Sequence, residues 1–348
     1  MRKTLLSTGP CTRLHGIRAN KVRGRASGFS PLATSNEPDA VTMRGQQAVN
    51  SNRKIGLPHP QIQNRRSIMQ KTYKKYFCIF VLPTLIAFTL FFVIPFVLGI
   101  GLSFCKFTTV TNARWVGLEN YLKAFSNKDF LNALWFTVKF TIVSVISINV
   151  IAFIFAYALT RGIKGTNLFR TTFFMPNLIG GIVLGYIWQL MINGVLARFG
   201  VTITTDAKYG FWGLIILMNW QLIGYMMIIY IAGIQNIPTE LVEAAKIDGA
   251  TKLQALFKVT IPMVMSSVTI CLFLTLTNSF KLFDQNLALT AGAPSKKTAM
   301  LALDIYTTFY NRNGWEGVGQ AKAVIFFVIV GILALTQLYF TRNKEVES

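Results

Sequence analysis

Charge is scarce in this chain: 14% of its 348 residues are Asp, Glu, Lys or Arg, against about 25% in average soluble domains. With 52% hydrophobic residues and a mean hydropathy of +0.46, the composition excludes a disordered chain, a collagen-like chain and a small disulfide scaffold. Cysteine is sparse. Cys11, Cys78, Cys105 and Cys271 share no metal-ligand spacing and imply no disulfide framework. The two histidines, His15 and His59, both precede residue 70, so the remainder offers neither a histidine metal site nor a His-assisted nucleophile. The phosphate-binding pattern G-x-x-x-x-G-K-[ST] is missing, so the chain is not its own ATPase. Its long apolar runs contain no Asp or Glu. A proton- or sodium-coupled transporter ordinarily needs such a group at the midplane.

What charge there is sits unevenly. Residues 1–75 carry 15 Lys/Arg against 2 Asp/Glu, and residues 76–348 carry 20 against 11. Residues 1–70 hold one aromatic, Phe29, and no helical or strand period. Such a segment cannot bury enough apolar surface to offset its ordering entropy, so 1–70 reads as a basic disordered tail. It lacks the apolar core of a secretory signal and loosely resembles an organellar transit peptide. Nucleic-acid binding would want aromatics among the basic residues, and the tail lacks them. Met69 opens a lead-in to the first apolar run, and 1–68 is expected to lie upstream of the true start.

Six windows contain no charged residue: Phe77–Leu102, Phe140–Thr160, Thr171–Ala197, Tyr209–Thr239, Val259–Phe280 and Ala323–Thr341, of 26, 21, 27, 31, 22 and 19 residues. A helix needs roughly 20 apolar residues to cross the hydrocarbon core. Backbone groups in lipid must be paired within the segment, so these runs are expected to be helices. The expected spans are about 77–102, 138–160, 171–195, 211–235, 260–283 and 322–341. Pro83, Pro95, Pro176 and Pro262 are expected to kink or bound them. Six spans leave both termini on one side. The segments 71–76, 161–170, 235–258 and 342–348 hold 11 Lys/Arg in 47 residues, and the opposite set 9 in 75. That bias places the termini in the cytoplasm.

One connector, Ile237–Pro262, is more than a link. Pro238 suits a helix start, and Glu240 and Glu243 favour its N-terminal end through the dipole. Ala244, Ala245, Gly249 and Ala250 form a small-residue cluster, and Gly249 is placed to end the helix. Leu253, Leu256 and Phe257 follow at i, i+3, i+4, the stripe of a second short helix. On physics alone the segment also fits an interfacial helix pair without a partner. In the fifth window Ser267, Cys271, Asn278, Lys281 and Gln285 fall, at about 100° per residue, on one polar stripe. The fourth offers Asn219, Trp220, Gln221 and Tyr225. Amide, hydroxyl and aromatic groups suit a sugar, and they equally suit helix–helix hydrogen bonding. Lys281 can snorkel to the boundary, with Asp284 beside it.

The connector resembles the EAA signature of binding-protein-dependent ABC importer permeases, through Glu243, Ala244, Ala245, Asp248, Gly249, Ala250, Phe257, Val259, Ile261 and Pro262. Val116–Tyr121, Phe169–Val183 and Ser279–Pro294 are similar to the carbohydrate-uptake branch. The last of these carries Leu289-Thr290-Ala291-Gly292-Ala293-Pro294 where the family often has LTGGGP. The likeness extends over about residues 70–344, and is closer to six-span subunits for multiple sugars, raffinose or glycerol phosphate than to the larger maltose subunit. It implies an all-α integral membrane protein, a type I importer transmembrane domain of six transmembrane helices over 71–344. Its EAA loop, 237–262, would form cytoplasmic coupling helices. It implies a non-enzymatic permease in a bacterial plasma membrane that binds no cofactor or metal itself, ATP and Mg residing on a partner ATPase dimer. A second homologous permease and an extracellular solute-binding protein complete the implied assembly. Glu243, Ala244, Ala245, Asp248, Gly249 and Ala250 would couple to the ATPase. Trp220, Gln221, Tyr225, Ser267, Asn278, Lys281 and Gln285 are the candidate solute path. The implied cargo is a sugar or oligosaccharide, with glycerol 3-phosphate or a secondary transporter as alternatives. A phosphorylated solute would want an Arg in the path, and the six windows contain none. Mass spectrometry of the native N-terminus is expected to begin at Met69; abundant peptides from residues 1–60 would refute that start.

Overall fold

The computed structural model describes residues 76–77 and 79–342. The basic tail, Met69, both histidines, Cys11 and Cys78 lie outside the described residues. The chain divides into two units, Met1–Phe80 and Val81–Ser348, and the architecture below is that of the second.

Helix α1 runs Ile79–Ser103 with a π-helical turn at Thr89–Val93. A two-residue antiparallel pair follows, β1 (Cys105–Lys106) with β2 (Arg114–Trp115). Then come α2 (Glu119–Ser126), α3 (Lys128–Leu159), α4 (Thr166–Phe174) and α5 (Gly181–Leu196). The long α6 (Ala207–Gln235) precedes α7 (Thr239–Ile247). Next are α8 (Lys252–Met263) and α9 (Met265–Phe280), bent by 70° to one another. Short α10 (Asp284–Leu289), α11 (Leu301–Tyr310) and α12 (Glu316–Arg342) complete the chain. Among the described residues five helices are long and apolar enough to cross a membrane, and six if the bent α8–α9 pair is one span.

Boundaries differ from expectation where side chains, not hydropathy, set them. The second span begins at Lys128 rather than about 138, because Asn127 caps it by accepting a hydrogen bond from the Phe130 amide at 3.1 Å. The third is not one helix over 171–195. It breaks after Phe174 into a 3-10 turn, Met175–Leu178, that contains Pro176, and resumes at Gly181. The fourth starts at Ala207, capped by Asp206. The fifth, expected over 260–283 with Pro262 kinking or bounding it, bends between Met263 and Met265 and ends at Phe280. The last starts at Glu316, six residues before expectation.

Helix α6 is the axis of the unit, with 67% of its apolar window buried, whereas α1's apolar window has no buried residue. α6 packs along α3 and crosses α4 so closely that a Cβ at Gly224 would overlap the Phe173 carbonyl. Two sets of polar groups in the unit find partners across helices. The Tyr230 hydroxyl donates to Asn149 Oδ1 at 2.7 Å, and Asn149 Nδ2 donates to Thr275 Oγ1 at 2.9 Å, joining α3, α6 and α9. Lys322 on α12, fully buried, donates to Asp304 Oδ2 on α11 at 2.7 Å and to Thr308 Oγ1 at 2.9 Å, over the Phe130 ring. Neither charge could stay buried alone. The apolar windows give no hint of this pair, because Asp304 sits in what reads as a connector.

The 32 residues of α3 make a helix about 48 Å long, which defines the two ends of the unit. At its N-terminal end Asp129 pairs with Lys296 and Arg312, both at 2.9 Å. At its C-terminal end Tyr157, Thr160 and Arg161 share a cavity with the α6–α8 connector. Gly224→Ala is expected to lower the melting temperature of the purified protein by an amount equivalent to about 1–3 kcal/mol of overpacking. Gly101→Ala, where nothing lies within 4 Å of the added methyl, should leave it unchanged.

Candidate functional site

Two features stand out, one within the bundle and one at its end. The first is a cavity of about 210 Å³ lined by Asn177, Met218, Gln221, Leu222, Tyr225, Asn278, Lys281, Leu282 and Gln285. The α6 members lie at i, i+3, i+4 and i+7, one face of a straight helix. The opposite wall starts at Asn278 near the end of α9 and continues through Lys281 and Leu282 to Gln285 on α10. Gln285 Nε2 donates to Gln221 Oε1 at 2.9 Å, tying the two walls together. Asn177 enters from the 3-10 turn that interrupts the third span.

Five of the seven path candidates thus share one cavity: Gln221, Tyr225, Asn278, Lys281 and Gln285. Trp220 and Ser267 do not. Trp220 lies on the neighbouring face of α6 and packs edge-on against Trp188, centroids 5.7 Å apart. Ser267 packs where Gly233 leaves room, its Oγ occupying the space a Cβ there would need. Cys271, on the same stripe, is buried among core side chains with its Sγ donating to the Met226 carbonyl at 3.8 Å. The stripe divides by what lies opposite it: Ser267 and Cys271 meet α6, whereas Asn278 and the residues past the end of α9 face the cavity. Lys281 and Asp284 form no ion pair among the described residues. Asn177 is not among the residues expected from the sequence. Its signal is there, a polar residue directly after the proline that breaks an apolar run.

The second feature is the connector. α7 ends in a Schellman motif: the Gly249 amide donates to the Lys246 carbonyl at 3.1 Å and the Ala250 amide to the Ala245 carbonyl at 3.0 Å. Gly249 has φ +77°, the left-handed region that side chains disfavour. Thr251 then caps α8 through a reciprocal box with Gln254. Glu243, Ala244, Asp248 and Gly249 are exposed, and Ala245 and Ala250 half-buried. Ile247 is 86% exposed, Leu253 67% and Phe257 64%. Of the expected apolar stripe of α8, Leu253 and Phe257 are left uncovered by the described residues and Leu256 is half-buried; a π-helical turn at Leu256–Thr260 carries α8 on toward α9. The connector is continuous with both cavity walls, leaving α6 at Gln235 and rejoining α9 through α8.

Residues 150–344 match the family described as "Binding-protein-dependent transport system inner membrane component". The chain is 42% identical to a probable starch degradation products transport system permease protein of Thermoanaerobacterium thermosulfurigenes, over 78% of this chain and 96% of that one. It is 31% identical to a multiple sugar-binding transport system permease protein of Streptococcus mutans, over 80% and 99%. In fold it is similar to a chain of a bacterial ABC transporter involved in import of the acidic polysaccharide alginate, with a TM-score of 0.67 and 20% identity over 79% and 98%. With its membrane-crossing helices, its broken third and fifth spans and this match through the connector, the chain belongs to the family of inner membrane components of binding-protein-dependent transport systems.

Proposed function

We propose that this chain is one of two permease subunits of an ATP-driven importer of starch-derived oligosaccharides, with its connector and both termini in the cytoplasm of a bacterial cell. A solute-binding protein outside delivers the sugar, and a separate ATPase dimer holds ATP and Mg. The observation that carries the reading is the convergence of Asn177, Gln221, Tyr225, Asn278 and Gln285 on one cavity between the helices. Carboxamides and a phenol donate and accept to hydroxyls, and the Tyr225 ring offers a face to a sugar's C–H surface. The permease names of the relatives, which point to starch products and multiple sugars, support the cargo class.

Coupling follows from covalent continuity. Glu243, Ala244, Ala245, Asp248, Gly249 and Ala250 are assigned the docking surface for the ATPase, where small side chains let α7 seat closely and exposed Ile247, Leu253 and Phe257 add apolar contact. A helix moves as a rigid body. A push on α7 is therefore passed up α6 to Gln221 and Tyr225, and through the α8–α9 bend to Asn278 and Lys281. Closing of the ATPase thereby shifts both walls of the cavity and breaks or makes the Gln221–Gln285 bond.

Two measurements test this. In the assembled transporter, Gly249→Asp or Ala244→Trp is expected to reduce oligosaccharide uptake at least about tenfold, with ATP hydrolysis persisting unlinked to transport; normal uptake at normal expression would sink the coupling role. Asn278→Leu and Gln285→Leu, each removing a hydrogen bond worth about 1 kcal/mol, are expected to raise the KM for uptake about fivefold each. A KM unchanged in both would exclude the cavity from the path.

A further inference from the structure

A second groove begins at Phe283, one residue along the chain from Leu282 of the cavity. It has a volume of about 430 Å³ and is walled by Phe283, Tyr306, Phe309 and Tyr310, with Gln320 and Phe326 of α12 opposite. The rings form a ladder of tilted and edge-on contacts, with interplanar angles of 58°, 44° and 65° along it. Phe283 and Tyr306 have centroids 5.1 Å apart, Tyr306 and Tyr310 4.9 Å, and Tyr310 and Phe309 4.9 Å. No residue lining the groove carries a formal charge. Its polar groups are two phenols and one carboxamide, set among rings.

Three observations define what fits. First, the ladder is held open. Asp304 and Thr308 turn the buried side of α11 onto Lys322, which leaves Ile305, Tyr306, Phe309 and Tyr310 on the other side. Tyr306 is 40% exposed and Tyr310 66%. Second, it runs in a useful direction. Tyr310 lies two residues before Arg312, which pairs with Asp129 at the end of α3 remote from the connector. Phe283, at the other end of the ladder, directly follows Leu282 of the polar cavity. Third, the chemistry is that of a sugar platform. An uncharged site combining flat rings with isolated donors and acceptors suits a neutral molecule that has C–H faces and outward hydroxyls. An acyl chain would leave the half-buried Gln320 carboxamide unpaired.

We propose that this groove binds a linear neutral oligosaccharide, holding successive sugar rings on Tyr310, Tyr306 and Phe283 and leading one end of the chain into the polar cavity. The assignment rests on the oligosaccharide reading of the cavity and adds to it a preference for length. A short sugar spans the cavity alone, whereas a long one occupies cavity and ladder together.

The test compares maltose with maltoheptaose in proteoliposomes holding the transporter complete with partner permease, ATPase dimer and binding protein. The double variant Tyr306→Leu/Tyr310→Leu keeps an apolar surface but removes the rings. It is expected to lower uptake of maltoheptaose about tenfold and that of maltose less than about twofold. Tyr306→Phe/Tyr310→Phe keeps the ring faces and should retain most of the maltoheptaose uptake. Equal losses for both sugars, or no loss for maltoheptaose, would overturn the ladder while leaving the cavity in place. Reduced co-purification of the second permease with the Leu double variant would overturn it too, by making the groove a subunit contact. If the unaltered transporter takes up neither sugar, the oligosaccharide reading itself fails and the ladder falls with it.

Discussion

Lipid offers no hydrogen bonds, and this one fact governs most of the molecule. Every backbone group within the membrane must be paired by its own helix, and every polar side chain that leaves water must find a partner in another helix or line a wet space. Two sets of polar groups obey it in different ways. Asn149, Tyr230 and Thr275 satisfy one another across α3, α6 and α9, and Lys322, Asp304 and Thr308 do so across α11 and α12. Gln221, Tyr225, Asn278 and Gln285 instead face a cavity, where the missing partners can be water or solute hydroxyls.

The same constraint explains why the interesting geometry sits at irregular backbone. A helix that breaks in the membrane frees carbonyls and amides, and that cost is tolerable where the break is covered by protein or faces a cavity. The turn around Pro176 brings Asn177 to the cavity, and the end of α9 at Phe280 brings Lys281 and Gln285 to its far wall. Close approach makes this possible: the break packs against α6 where Gly224 has no side chain to obstruct the Phe173 carbonyl.

The connector works under the opposite rule. Water can satisfy its backbone, so its shape is set by local devices, a Schellman motif at Gly249 and a capping box at Thr251 and Gln254. These stabilise two short helices whose apolar side chains remain outside the fold. The connector is thus a locally specified element, fused to both cavity walls, and the proposed coupling rests on that continuity.

Much of this was legible from residue order alone. Apolar runs of membrane length announced the helices, because hydropathy is a property of composition over about 20 residues and needs no tertiary partner. The small-residue cluster and Gly249 announced the connector and its turn, because caps are read within a few residues of one another. Helix boundaries were displaced where a single side chain, such as Asn127 or Asp206, outweighed the hydropathy average. Which polar residues face a cavity was beyond reach. Ser267 and Asn278 sit on one calculated stripe, yet one fills the space beside Gly233 and the other lines the cavity, a difference set by what lies opposite each. The Asp304–Lys322 pair and the aromatic ladder it holds open were equally hidden. They depend on two helices meeting at one angle, and only the packed chain determines that.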